Sequence, residues 1–322
     1  MISLDEQLQG VRTAAIAGHV RPDGDAYGSC MGMYLFLKQY YPDIEAHVYL
    51  ENEYNDAFRF ISCSDEVISS YPEIEPVDLF ISLDASTKDR LGNALPYFEA
   101  AKRTLVIDHH VSNGGFGNVC EIQPEASSTC EIVTMLIGRN RLTKTIAEPL
   151  FVGIVTDSGA FHFQNTSDRT LEAAGWLKST GIAASRITDS VYYSRTYKQL
   201  QVMGRALTES ILMLGGKVIF SVVHRRDMEF YGVGPKDLDG IVQELRLTRG
   251  VEVALFLYES GTREYKVSMR SNGTVDVSKI ATFFNGGGHE RAAGCTMQGG
   301  VHDVVNNVVA QVEIQLKAAG VL

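Results

Sequence analysis

His19-x-x-x-Asp23-x-Asp25 is the first part of the chain with the makings of a reactive centre. Carboxylate oxygens suit hard divalent cations, and imidazole adds affinity for manganese, iron or zinc. Gly24 lets the backbone turn tightly, and two carboxylates one residue apart can each face a different ion. A polar loop with an N-capping aspartate explains the same residues without any ion. The pattern recurs, however. Asp84 ends the apolar run LFISL, Asp108-His109-His110 ends TLVI, and Asp157 follows FVGIV. One aspartate after a hydrophobic segment is ordinarily a turn or cap residue. Several such sites argue for one cluster at one edge of a sheet. Carboxylates gathered without metal repel and raise each other's pKa, and two divalent cations resolve that repulsion.

The elements that must carry these residues follow from the apolar spacing. Thr13–Ala17 reads as a buried strand, as do 44–50, 78–83 and 104–107. Residues 28–40 and 90–103 read as helices between them. Strands alternating with helices predict an α/β fold, with a mostly parallel N-terminal sheet flanked by helices. Such sheets bind ligands beyond the carboxyl ends of their strands. From 128 to 160 the pattern is helical with a break near Leu142. Residues 168–178 and 199–214 are helical too, the first with Asp168 as its expected N-cap, and 192–198 is the expected linker. Strand and helix then alternate again: strands at 217–223, 251–258 and 265–270, helices at 235–247, 275–284 and 301–316. The expected organisation is a catalytic domain over 1–191, a linker and connecting helix over 192–214, and a smaller C-terminal α/β domain over 215–322. A cleft is expected between the two domains.

The segments GHVRPDGDAYGS, SLDAS, VIDHH and GIVTDSGAF, in that order, resemble the four motifs of the DHH phosphoesterase superfamily. The resemblance implies two divalent cations, manganese first, with magnesium or cobalt as alternatives. It implies that His19 and Asp23 hold one ion together with Asp157, that Asp25 and His109 hold the other, and that Asp84 bridges both. His110 is expected to face the scissile phosphate as a catalytic group. Asp108 is expected to orient a histidine or the first motif's loop.

Further on, Asn285-Gly-Gly-Gly-His-Glu-Arg-Ala-Ala-Gly294 offers adjacent glycines for close backbone approach and consecutive N–H groups for an anion. It resembles the GGGHxxAAG motif of the DHH-associated C-terminal domain, as does the preceding strand with Ser268, Arg270 and Ser271. The implied substrate contacts are Ser268, Arg270, Gly286, Gly287, Gly288, His289 and Arg291. This compact two-domain form is similar to bacterial oligoribonucleases that also dephosphorylate 3'-phosphoadenosine 5'-phosphate. The expected activity is two-metal hydrolysis of short RNA from an end, or removal of that 3'-phosphate. Cleavage of cyclic or linear di-AMP is the alternative within the same chemistry. A non-catalytic RNA- or nucleotide-binding module is the alternative of another kind, and a pyrophosphatase is disfavoured by the C-terminal motif.

Bulk properties narrow the partners. The chain has 322 residues, 45% hydrophobic and 21% charged, ordinary for a globular protein. With 29 basic against 39 acidic residues the formal charge is −10, which disfavours long duplex nucleic acid. Short single-stranded RNA or small nucleotides remain suitable, and a homodimer stays open. Five scattered cysteines with no CxxC spacing point to free thiols in a reducing compartment. No apolar run approaches the length of a membrane helix, and no signal peptide is evident, so a cytoplasmic location without membrane contact is expected.

Overall fold

The computed structural model describes residues 1–51, 58–71 and 75–322. The chain divides into two units, Met1–Ser194 and Arg195–Leu322, the first boundary falling inside the expected linker.

The first unit begins with α1 (Leu4–Leu8), β1 (Thr13–Ala17), α2 (Gly24–Tyr40) and β2 (Glu45–Tyr49). It continues with β3 (Leu79–Leu83), α3 (Leu95–Ala100), β4 (Thr104–Asp108) and β5 (Val119–Ile122). Four helices complete it: α4 (Thr129–Ile137), α5 (Lys144–Asp157), α6 (Asp168–Ser179) and α7 (Ala184–Thr188). The five strands form one sheet in the order β2-β1-β3-β4-β5, every pairing parallel. Strands β3 and β4 are buried along their whole length, because both faces of a parallel sheet must be covered. Ile16, Ile81 and Leu105 pack under α2, α4 and α5, while Phe80 and Val106 face Tyr97 and Phe98 of α3 on the other side. The strand order reverses direction at β1 and β3. The crevice beyond their carboxyl ends is therefore the natural ligand position of this topology.

Helices α2 and α5 approach closely along Gly24, Gly28 and Gly32. A Cβ at Gly28 would lie 2.4 Å from the Pro149 carbonyl oxygen, and one at Gly32 would lie 2.4 Å from Leu150. That spacing brings the N-terminus of α2 beside the C-terminus of α5.

The second unit contains α8 (Tyr197–Thr208), β6 (Ile211–Met213), β7 (Val218–Val223), α9 (Arg225–Tyr231), α10 (Ile241–Arg246), β8 (Val253–Gly261) and β9 (Glu264–Ser271). It ends with α11 (Val277–Phe283), β10 (Gly287–His289), β11 (Ala292–Gln298) and α12 (Val301–Ala318). Its six strands form a mixed sheet in the order β10-β11-β9-β8-β7-β6, in which only β7 and β8 run parallel. Helices α11 and α12 cover one face and α8 to α10 the other.

Several elements differ from the sequence reading for identifiable reasons. The helix expected over 90–103 is a 3-10 turn, Lys88–Ala94, followed by the short α3, because Gly92 kinks the chain at φ 52°. The helix expected over 199–214 ends at Thr208. Ile211–Met213 instead forms an edge strand on β7, an outcome its apolar residues serve equally well. The helix expected over 235–247 breaks at Gly240, which has φ 90°. Ser167, not Asp168, caps α6, in a reciprocal capping box with Thr170.

Candidate metal centre

Asp23 is the N-cap of α2. Its Oδ1 accepts the N–H groups of Asp25 at 3.0 Å and Ala26 at 3.1 Å. Its Oδ2 lies 3.6 Å from His19 Nε2, which is also 3.5 Å from Asp84 Oδ2. Asp84 follows β3 in the left-handed region, at φ 56°. That conformation costs a non-glycine residue about 1–2 kcal/mol, and aspartate is among the few that adopt it routinely. Asp84 is held by its N–H, which donates to the Ile107 carbonyl at 3.1 Å, and by Thr129, whose hydroxyl donates to its Oδ1 at 3.1 Å.

Asp25 is fully buried and reaches across to α4, where its two oxygens accept the N–H groups of Thr129 at 2.6 Å and Cys130 at 2.9 Å. It thus satisfies free donors at the start of a helix distant in sequence, where negative charge is favoured. Gly153 of α5 makes room for it, since a Cβ there would lie 2.6 Å from Asp25 Oδ1. Ser128 caps α4 through the Glu131 N–H, as a serine before a helix should. Glu131 is buried and accepts from Ser127 and Thr170, and its carboxylate lies 3.3 Å from Arg169. Asn165 donates to the carbonyls of Ser127 and Asp157, each at 3.1 Å, which ties the loop after α5 to the start of α4.

His109 Nε2 sits among three carboxylates: Asp157 Oδ2 at 3.4 Å, Asp84 Oδ1 at 3.6 Å and Asp25 Oδ2 at 3.9 Å. His110 Nδ1 lies 2.8 Å from Asp108 Oδ1 and 3.7 Å from Asp84 Oδ1. The donor atoms fall into three groups: His19, Asp23 and Asp84; Asp25, His109 and Asp157; and Asp84, His109 and His110. The sheet and the α2–α5 contact therefore bring together every residue singled out in the four acidic motifs. Asp157, expected beside His19 and Asp23, groups with Asp25 and His109.

The electrostatics explain what such an arrangement requires. Burial, reinforced by Asp84, Asp157 and Asp23, pushes the Asp25 carboxyl well above the ordinary carboxylate range. Burial together with Asp23 and Asp84 does the same to Asp157. Burial works against a charged His19, yet the facing Asp23 and Asp84 carboxylates push it up to about 10. Positive charge is what this cluster lacks. Its donors are imidazole nitrogens and carboxylate oxygens, with no thiolate among them, a set that fits divalent cations.

A chain of this architecture has known relatives. The family model "DHH family, N-terminal domain" matches residues 13–154, and "DHHA1 domain" matches residues 215–318. The "Bifunctional oligoribonuclease and PAP phosphatase NrnA" of Thermus thermophilus is 31% identical over 313 residues, covering 95% of this chain and 91% of the relative. The chain belongs to the DHH phosphoesterase family. A protein of the same name from Bacillus subtilis is 27% identical, with 95% of each chain covered. The crystal structure of an exopolyphosphatase-related protein from Bacteroides fragilis superposes with a TM-score of 0.89 at 26% identity, covering 98% of this chain and 96% of that one. As a DHH phosphoesterase the protein is a metal-dependent hydrolase, and the expected fold class holds in both units.

In the second unit of this DHH phosphoesterase, the glycine-rich motif is not a loop of converging donors. Gly287–His289 forms β10, and successive N–H groups of a strand point to opposite edges. Gly287, Gly294 and Ser268 are paired in one row across β10, β11 and β9, and His289, Ala292 and Arg270 in the next. These rows lie on the face opposite Val267, Met269, Ala293 and Cys295, which are buried in the α11–α12 core. The motif thus makes a flat, small-residue floor with Arg270 and His289 along one row. Burial and the neighbouring Arg246 draw the Arg270 guanidinium below its usual value. Arg291 lies in the β10–β11 turn against Gly273.

Gly286 and Gly288 are required by the fold. Cβ atoms there would lie 2.2 Å from the Gly294 carbonyl oxygen and 2.5 Å from that of Ala292. Gly287 meets nothing within 4 Å. Of the other histidines, His47, His162 and His302 are exposed and stand outside the cluster, and His224 lies 3.6 Å from Glu259.

The sequence reading missed Asn113, Asn165, Glu131 and Arg90. Asn113 donates to Asp108 Oδ2 at 2.7 Å, and an Arg90 terminal nitrogen lies 3.2 Å from His19 Nδ1. Only Arg90 carried a signal: it stands in the loop that follows Asp84.

Proposed function

We propose that this protein hydrolyses short single-stranded oligoribonucleotides from an end to mononucleotides and removes the 3'-phosphate of 3'-phosphoadenosine 5'-phosphate. The observation that supports it most strongly is the convergence of His19, Asp23, Asp25, Asp84, His109 and Asp157 at the carboxyl edge of the sheet. The curated relatives carrying both activities in their names supply the substrate class.

His19, Asp23 and Asp84 would hold one divalent cation, and Asp25, His109 and Asp157 a second, with Asp84 close enough to His109 to serve both. Such ions supply charge that polarises a phosphoryl group and acidifies water near neutral pH. Manganese suits the mixed donor set. The protein's own groups do the rest. Asp108 fixes the His110 ring, and His110 faces the reacting phosphate to stabilise its charge or to protonate the leaving oxygen. Ser268, Arg270, Gly286, Gly287, Gly288, His289 and Arg291 hold the substrate's phosphate or base on the β9–β11–β10 face. The reading places the protein in the cytoplasm. Its cysteines are free, and no described helix is long and apolar enough to cross a membrane.

Turnover of dinucleotide to pentanucleotide RNA, 3'-phosphoadenosine 5'-phosphate and linear di-AMP, with manganese and with chelator, tests this. Manganese-dependent release of mononucleotides from RNA is the expected result. Cleavage of di-AMP alone would reject it in favour of dinucleotide signalling chemistry.

A further inference from the structure

Arg90 is fixed by its backbone and left without an acceptor by its side chain. Its carbonyl accepts the Val20 N–H at 2.7 Å, and its own N–H donates to Thr87 at 3.1 Å. Two residues on, Gly92 lets this loop lie against the His19–Val20 segment, for a Cβ there would sit 2.3 Å from Val20 Cγ1. The loop therefore holds Arg90 over His19 regardless of what the guanidinium binds.

The guanidinium's nearest polar neighbour, His19 Nδ1 at 3.2 Å, cannot serve as its partner. That nitrogen lies 2.8 Å from the Val20 carbonyl oxygen, an acceptor only, so the bond requires a proton on Nδ1. Nε2 then faces Asp23 and Asp84, as a metal-ligating ring requires. A guanidinium carries donors and no acceptor, so Arg90 and Nδ1–H meet donor to donor. No carboxylate among the described residues pairs with Arg90, and its side chain is exposed at the rim of the acidic cluster. With divalent cations in that cluster, a further positive charge at its rim is favourable only beside an anion that arrives from outside.

We infer that Arg90 grips the substrate phosphate at the metal centre, its planar fork donating two N–H groups to non-bridging oxygens. A phosphate matches that fork in shape and charge better than a single-point acceptor does. The inference rests on the phosphoester reading above and adds a substrate contact from the first unit, in the loop that also carries Asp84.

The test compares wild type, Arg90→Ala and Arg90→Lys. Manganese affinity, thermal midpoint, calorimetric affinity of the manganese-loaded protein for adenosine 5'-monophosphate, and kcat and KM on diadenylate are measured for each. Arg90→Ala is expected to keep the midpoint and the manganese affinity while losing about 10- to 100-fold in nucleotide affinity, the loss of hydrogen bonds to a charged group. Arg90→Lys should recover part of that loss, because an ammonium restores the charge and not the fork. Unchanged nucleotide affinity in Arg90→Ala would overturn the inference. So would weakened manganese binding with normal nucleotide affinity at saturating metal, which would make Arg90 a support for His19. A wild type that binds the nucleotide through Arg90 yet cleaves no phosphoester sinks the functional reading alone. One that cleaves equally well with and without Arg90 sinks this inference alone.

Discussion

The Asp108 carboxylate holds His110 at 2.8 Å through the ring Nδ1, and its second oxygen accepts from Asn113 at 2.7 Å. Burial alone would lift the Asp108 carboxyl, but those two donors bring it below its usual value. The amide of Asn113 cannot turn round, because its own oxygen accepts the Gly115 N–H at 2.9 Å. Asp108→Asn therefore has no good orientation: its NH2 must confront one of two donors. We expect kcat to fall about 10–100-fold with manganese affinity nearly unchanged, as for groups that orient a site from behind. Steady-state kinetics beside a manganese titration check this, and an equal loss in metal affinity would refute it.

Asp84 stands in two of the donor groups. Asp84→Asn should lower kcat by at least about 100-fold, beyond the usual cost of an outer contact. Its effect should also be visible without substrate. A cation that binds only the folded chain stabilises it by about 2.7 kcal/mol at a hundred times its dissociation constant. The manganese-induced rise in thermal midpoint seen for wild type should shrink or vanish in Asp84→Asn.

Asp157 lies beside carboxylates that oppose its charge in the metal-free chain. Replacing it with asparagine removes that repulsion. With chelator present, Asp157→Asn should melt above wild type by a few degrees, about 2–4 °C per kcal/mol in a domain of this size. With manganese the order should reverse. A variant that melts below wild type under both conditions would show that Asp157 has a purely structural role.

The glycine motif separates fold from ligand. Gly288 has φ 143° and no room for a Cβ, so Gly288→Ala should destabilise the second unit markedly. Gly287 faces open space, and Gly287→Ala should leave stability unchanged while raising KM severalfold if this face holds substrate. Melting curves and KM values for the pair decide the matter. An unaffected KM in a folded Gly287→Ala protein would remove this face from the substrate site.

How much of this was legible beforehand depends on the range of the interaction. Strands β1, β3 and β4 announce themselves as apolar runs because a buried parallel strand must be apolar on both faces. The β3 and β4 runs lead into Asp84 and Asp108, and the β1 run into His19, at the edge where the chain leaves the sheet. The cap that Asp25 gives α4 joins residues 104 apart and leaves no local pattern. The strand Ile211–Met213 was hidden because neither glycine nor proline marks the end of α8 at Thr208. The glycine run was legible as a special backbone, but only its pairing with β11 shows which glycines the fold itself needs. The placement of Arg90 beside His19 was not legible, since that proximity depends on Gly92 folding one loop onto another.

The donors of the proposed metal centre are spread along the chain from His19 to Asp157, and the last of them follows the strands and helices that gather the others. Contacts this distant in sequence form only after long loops have closed. During synthesis, when the N-terminal part emerges first, a nascent chain ending short of Asp157 carries the first three motifs but not the fourth. Premature termination or proteolytic trimming before that point should therefore yield fragments unable to degrade RNA, and newly made protein should gain nuclease competence in one late step rather than by degrees.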